Sequence, residues 1–391
     1  MDRPLGEVDL GVDDHPGEEL HRIMHRARNA GPIVPVRFMG TEAHLLTTFD
    51  AVRTFLSDDD QFPGGVIYRY STRPSVGSTF IDLDGEDHHR VRRLATPAFR
   101  SRAVRRFVDD ELTPLADEVL DEMLAAGLDD LVEGYVRVLP FWSISRKLGL
   151  PVGTEERQRT WALALLSHPT DPEGARRAAD AVTEFLLPTL AERRATPRDD
   201  VVSRLLTAEV DGAGLTDEQV AAHVRLLYAV GATTTSDGLG TLLRRTLTEP
   251  GLWERLRADR SLLPAVVHES LRTEPPVALL PRLAVDGGEV AGVELPPGAL
   301  VLCGIAAANR DPAVFSDPDR FNPERPETEV LTFGFGSKFC PGSHLARQQL
   351  AAATDVLLER LGGVRVVDAP EPTGPVLRRI ERLVVEPLPA T

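Results

Sequence analysis

Four things are scarce in this chain of 391 residues: cysteine, lysine, aromatic side chains and long apolar runs. Two cysteines, Cys303 and Cys340, cannot build a disulfide framework, which points to a reducing, cytoplasmic setting and a fold closed by its own core. No stretch of about 18 consecutive apolar residues occurs, so no membrane span is expected. The segment from Met1 to Asp9 has neither a cationic flank nor an apolar centre, and no conventional signal peptide is expected there. Only two of the 44 basic residues are lysines, Lys147 and Lys338, and 60 acidic residues outnumber them all. The formal charge of −16 argues against general nucleic-acid binding and for an acidic, well-solvated surface. Linkers rich in Pro, Ser and Gly, low-complexity runs and internal repeats are also missing. One large domain over 1–391 is expected, with 1–20 as an N-terminal extension open to flexibility.

What is present builds a sizeable core, since 42% of the residues are hydrophobic. Helical periodicity dominates the middle of the chain, and short β-like runs with Gly and Pro occur near 33–38, 290–295 and 376–385, which predicts a mainly α fold with small β-sheets. Thr216-Asp217-Glu218-Gln219 has the form of a capping box and opens an apolar stretch that continues to about Leu247. Midway along it stands Val230-Gly231-Ala232-Thr233-Thr234-Thr235, a poor helix sequence whose hydroxyls can bond back to i−4 carbonyls or turn toward a cavity.

The most informative stretch runs from Phe333 to Arg347. Gly334 and Gly336 punctuate a loop that delivers Cys340 to the mouth of a helix whose apolar positions, Ala346, Leu350, Ala353, Leu357 and Leu361, recur until Gly362-Gly363. Unpaired N–H groups at a helix mouth favour thiolate over thiol, the form that ligates iron. A lone cysteine is more often a buried free thiol, and that remains the reading for Cys303, which has no such setting. A zinc pair from Cys340 and His344 lacks the further ligands needed for four-coordination.

The spacing from Phe333 and Gly334 through Gly336, Lys338, Cys340 and Gly342 to Arg347 resembles the heme-binding loop of the cytochrome P-450 family. The resemblance implies the cytochrome P-450 fold, with Cys340 as proximal ligand to heme b. It also implies Lys338 beside a heme propionate, where the family usually carries His or Arg. His88 and Arg92, in the segment 84–93, and Arg282 after Pro281 match further propionate-holding positions. Gly231, Thr234 and Thr235 fall in register with the family's oxygen-binding groove, but Thr233 stands where an acid is usual. Asp237, one turn later, is the nearest carboxylate and the preferred replacement relay. Glu269, Arg272 and Arg325 resemble the structural Glu-Arg-Arg triad that braces the heme loop.

The function so implied is monooxygenation: one oxygen atom from O2 enters a small organic substrate, and electrons come from NAD(P)H through a separate ferredoxin and ferredoxin reductase. The basic run Arg90, Arg92, Arg93, Arg100, Arg102, Arg105 and Arg106 would steer the ferredoxin. The missing acid at Thr233 motivates a peroxide-using or non-oxygenating alternative, and a heme-binding scaffold without turnover is a third reading. Segments 64–80, 161–188 and 277–280, together with Leu227, Val230 and the tip near Ile380, are expected around the substrate. Arg69, Arg73, Arg378 and Arg379 either meet an anionic substrate or face solvent.

Overall fold

A computed structural model describes residues 3–151, 155–210 and 212–388 of the chain. Helix α1 (Glu18–Ala30) leads into strands β1 (Ile33–Phe38) and β2 (Thr41–Leu46), followed by α2 (Val66–Ser71), α3 (Gly85–Ala95) and α4 (Ser101–Phe107). Helices α5 (Glu155–Leu166) and α6 (Pro172–Ala195) precede the long α7 (Asp217–Thr248) and then α8 (Leu263–Thr273). Strands β3 (Leu279–Ala284) and β4 (Ala299–Gly304), helix α9 (Ser343–Arg360) and strands β5 (Val364–Asp368) and β6 (Val384–Pro387) complete the frame.

The central helix α7 begins as its sequence demands. The Thr216 hydroxyl accepts from the Gln219 N–H at 3.2 Å while the Gln219 side chain accepts from the Thr216 N–H at 2.9 Å, so two otherwise orphaned donors are satisfied. At 1.5 Å per residue it spans about 48 Å and runs through the largest hydrophobic cluster. The threonine run does not break it. Hydroxyls of Thr233, Thr234 and Thr235 donate to the carbonyls of Ala229, Val230 and Gly231 at 2.9, 2.8 and 2.8 Å, absorbing the polarity of a β-branched stretch into the helix itself.

Four strands form one sheet in the order β1-β2-β4-β3. β1 and β2 pair antiparallel with Ile33 opposite Leu46, β2 and β4 pair parallel with His44 opposite Val301, and β3 and β4 pair antiparallel with Leu279 opposite Gly304. Cys303 is fully buried on β4, where burial pushes its thiol up to about 12, as fits a packing residue. The run near 290–295 is a hairpin of Gly288–Val290 with Val293–Leu295, and 384–387 supplies β6 opposite β5.

The segment read as an extension open to flexibility is docked from residue 5 onward. Val8 and Leu10 are buried, and the Asp9 carboxylate accepts from the N–H groups of Gly11, Met39 and Gly40 at 2.9, 2.9 and 2.7 Å. α1 is fastened to the body of the fold by Glu274, which accepts from His21 Nε2 at 2.8 Å and from Arg378 Nε at 2.6 Å. Burial alone would raise this carboxyl, but His21 and Arg378 outweigh it and hold it at about 2.

Candidate heme-thiolate site

The Cys340 loop is shaped by backbone constraints before any side chain acts. Gly334 and Gly336 have φ of 73° and 70°, and a Cβ at Gly336 would strike the Leu56 carbonyl oxygen, so glycine is required there. The Cys340 N–H donates to the Phe333 carbonyl at 2.9 Å and closes the loop. α9 starts at Ser343, which sets the sulfur against the N–H groups of Gly342 and Ser343. Burial pushes the Cys340 thiol above its ordinary value, while those two N–H groups, Arg92 and Arg347 pull the other way. Burial therefore outweighs the helix mouth for the free thiol. The same donors and cations are what a metal-bound thiolate needs.

Cys340 opens into a cavity of about 330 Å³ bounded by α7, the Cys340 loop, β3 and the wall residues Tyr68, Phe80 and Ile81. Of the expected site residues, Arg92, Thr234, Arg282, Phe333, Gly334, Lys338 and Gly342 line it with Cys340, and His88, which does not line it, is close enough to Lys338 and Arg92 to feel their charge. Phe333 is capped by the Arg347 guanidinium, 4.3 Å above its ring.

One rim of the cavity gathers positive charge that the described residues leave unanswered. Arg282 is buried, donates to the Tyr68 hydroxyl at 3.1 Å and its neighbouring Pro281 carbonyl at 2.9 Å, and has no carboxylate partner. His88 is buried with Nε2 unpartnered, and burial, then Lys338, Arg92 and His89, push it down to about 3. Arg92 donates to the Phe339 carbonyl and stacks 5.8 Å over Phe80. Buried cations and an orphaned ring nitrogen call for anionic acceptors. A flat apolar group carrying two acid arms and a thiolate-seeking metal fits this set.

Behind the loop, Glu269 receives both Arg272 Nε and Nη2 at 2.8 Å, the Asn322 N–H at 2.9 Å and Arg325 Nε at 3.4 Å. Burial would raise this carboxyl, yet Arg272, the Asn322 N–H and Arg325 bring it below its ordinary value. Arg272 also donates to the carbonyls of Asn309 and Pro318 at 2.8 Å. The Asn309 side chain then accepts from the Leu331 N–H at 2.8 Å and donates to the Thr332 hydroxyl at 2.9 Å. The triad thus reaches the residue before Phe333, and Asn309 is the link that sequence spacing did not signal.

One expectation needs correction. Thr233 and Asp237 do not line this cavity: with Ser236 and Gly240 they line a separate cavity against α7, together with Arg137 and Arg379. Residues 226, 227, 230, 231, 234, 235 and 238 border the Cys340 cavity, whereas 233, 236, 237 and 240 border the other; the two sets adjoin on α7, since Asp237 follows Val230 by seven residues. Asp237, raised to about 7 by burial against the pull of Arg379 and Arg137, belongs to that second cavity. Lys338 lines the cavity and directs its Nζ to the carbonyls of Phe80 at 3.4 Å, Ile81 at 3.3 Å and Leu83. The four arginines left open between substrate and solvent do not line the cavity: Arg69 binds Asp84, Arg73 sits near Asp82, Arg378 is buried on Glu274, and Arg379 lines the second cavity.

Comparison with known proteins agrees with this geometry. The Cytochrome P-450 family model matches residues 10–129 and 163–362. The chain is 31% identical to cytochrome P-450 107B1 of Saccharopolyspora erythraea, over 98% of this chain and 99% of that protein. It is 35% identical to erythromycin C-12 hydroxylase of the same organism, over 83% and 81%. The solved structure of cytochrome P-450 CYP109Q5 from Chondromyces apiculatus superposes with a TM-score of 0.87 at 26% identity, covering 99% of this chain and 100% of that one. The chain belongs to the cytochrome P-450 family of heme-dependent monooxygenases. Among the described residues no helix is long and apolar enough to cross a membrane.

Proposed function

We propose that this monooxygenase holds heme b through Cys340 and hydroxylates or epoxidises a largely apolar organic molecule in the bacterial cytoplasm, with electrons from NAD(P)H by way of a ferredoxin and its reductase. The observation that carries the reading is Cys340 at the mouth of α9, opening on an apolar cavity beside which Arg282 and His88 Nε2 have no acidic partner among the described residues. When bound, the heme supplies dioxygen activation and oxygen transfer, and the thiolate donates electron density to the iron. His88, Arg92 and Arg282 would hold its two acid groups, and Phe333, Gly334 and Gly342 would border its face. Thr234 projects into the cavity with its hydroxyl proton on the Val230 carbonyl. Oγ1 is then free to accept a hydrogen bond from water, and rotation away from Val230 releases the proton into the cavity. Leu226, Leu227, Val230 and Phe80 exclude bulk water. No carboxylate of a described residue lines the cavity, which favours a neutral substrate and leaves a second reading, use of hydrogen peroxide in place of dioxygen and a reductase. Product formed with dioxygen, NADH and a surrogate ferredoxin system, against product formed with peroxide alone, separates the two. Turnover only with peroxide would overturn the first.

A further inference from the structure

The second cavity against α7 has a volume of about 540 Å³ and a charge pattern that its own walls do not close. Its body is apolar, built by Phe141, Leu163, Leu166, Leu377 and Ile380, and four charged side chains line it: Asp237, Arg137, Arg159 and Arg379. Acids outside the lining answer two of the arginines, since Glu156 accepts from Arg159 Nε and Nη2 at 3.0 and 2.7 Å and Glu381 lies 3.6 Å from Arg137 Nη2. One cation and one anion remain. Arg379 is exposed, and neither its guanidinium nor the half-buried Asp237 carboxylate has a hydrogen bond or an ion pair within 4 Å among the described residues. The hydroxyls of the cavity are left as acceptors. Thr233 donates to the Ala229 carbonyl at 2.9 Å, Ser236 to the Val136 carbonyl at 2.8 Å and Ser167 to the Ala164 carbonyl at 2.8 Å, so their protons are committed and only lone pairs are left over.

We propose that this cavity is a second ligand site, separate from the Cys340 cavity, for a free α-amino acid with a large apolar side chain: its ammonium on Asp237, Thr233 and Ser236, its carboxylate on Arg379, and its side chain against Phe141, Leu163 and Leu166. An ammonium has three donors and no acceptor, which suits a carboxylate flanked by hydroxyls whose protons are already spent. A guanidinium without an acid is in turn suited to a carboxylate. A purely anionic ligand would set like charge against Asp237, and a purely cationic one would leave Arg379 unanswered beside it.

Three probes titrated calorimetrically into the holoenzyme at about pH 8 test the site: L-phenylalanine, 3-phenylpropanoate, which lacks the ammonium, and 2-phenylethylamine, which lacks the carboxylate. L-Phenylalanine should bind in the millimolar range or tighter without moving the Soret band, and each analogue should bind about tenfold or more weakly, as expected when one charge-assisted contact is lost. Asp237→Asn and Arg379→Gln should each weaken L-phenylalanine by about tenfold while their unfolding midpoints stay near wild type. The pH dependence has a definite sign. Burial holds Asp237 at about 7 against Arg379 and Arg137, and arginine keeps its charge throughout this range, so of the groups lining the cavity only Asp237 titrates. Affinity for L-phenylalanine should therefore fall about tenfold from pH 8 to pH 6, and Asp237→Asn should lose that slope. Absence of saturable L-phenylalanine binding would overturn the proposal, as would binding that shifts the Soret band, which places the ligand in the Cys340 cavity. Wild-type affinity in both variants would also overturn it. So would tighter binding of 3-phenylpropanoate that strengthens on acidification, since the cavity would then be a plain anion site.

Discussion

At the scale of single residues, the site separates groups that neighbour each other in sequence. Thr234 reaches the cavity, whereas Thr233 and Asp237 line a separate one against the same helix. A positioned proton donor contributes roughly 10²–10⁴-fold, so Thr234→Ala should lower product per NADH by about 10²-fold, with hydrogen peroxide accounting for the difference. Asp237→Asn should leave that ratio within about twofold of wild type, and Thr233→Asp should not improve it. Product and peroxide counted per NADH in the three variants check this; a loss of coupling in Asp237→Asn equal to that in Thr234→Ala would show that protons do cross the helix.

At the scale of elements, the supports of the site are buried ion pairs whose removal leaves one charge stranded. Glu269→Gln strips Arg272 of its counterion in a fully buried position and should cost about 3–5 kcal/mol, read as a lowered unfolding midpoint and faster heme loss. Glu274 gives a pH signature. Its folded value of about 2 lies below the ordinary 4.5, so its contribution is present above pH 4.5 and disappears as pH falls toward 2. Glu274→Gln should be less stable at neutral pH and should lose less further stability between those values; an acid limb identical to wild type in denaturant melts would contradict the assignment. These two carboxylates also show what sequence discloses. Glu269 and Arg272 are three residues apart on one helix, and the capping box at Thr216 is equally local, so both were legible. His21, Glu274 and Arg378 meet only after the chain closes on itself, and no local pattern marks them. That Asp237 and Thr234 border different cavities was not readable, because the division between adjoining lines of α7 is set by what packs against the helix. The Lys338 acceptors were hidden for the same reason: backbone carbonyls at 80–83 leave no residue-type signal.

At the scale of the whole molecule, a strongly acidic chain presents exposed arginines at 93, 100, 102 and 105, on and around α4, which packs against the α9 helix that follows Cys340. An acidic ferredoxin approaching this side would be steered by them. Arg102→Glu combined with Arg105→Glu should slow ferredoxin-driven reduction about tenfold at low salt and flatten its salt dependence, in stopped-flow traces over a range of ionic strength. An unaltered rate and slope would move the docking surface elsewhere. The central claim, that Cys340 is the thiolate that holds the heme iron, is tested most directly by the carbon monoxide difference spectrum of the reduced protein. The red-shifted Soret band of thiolate ligation is expected in wild type and Cys303→Ser and its loss in Cys340→Ser; a band that survives in Cys340→Ser, or vanishes only in Cys303→Ser, would contradict this ligand.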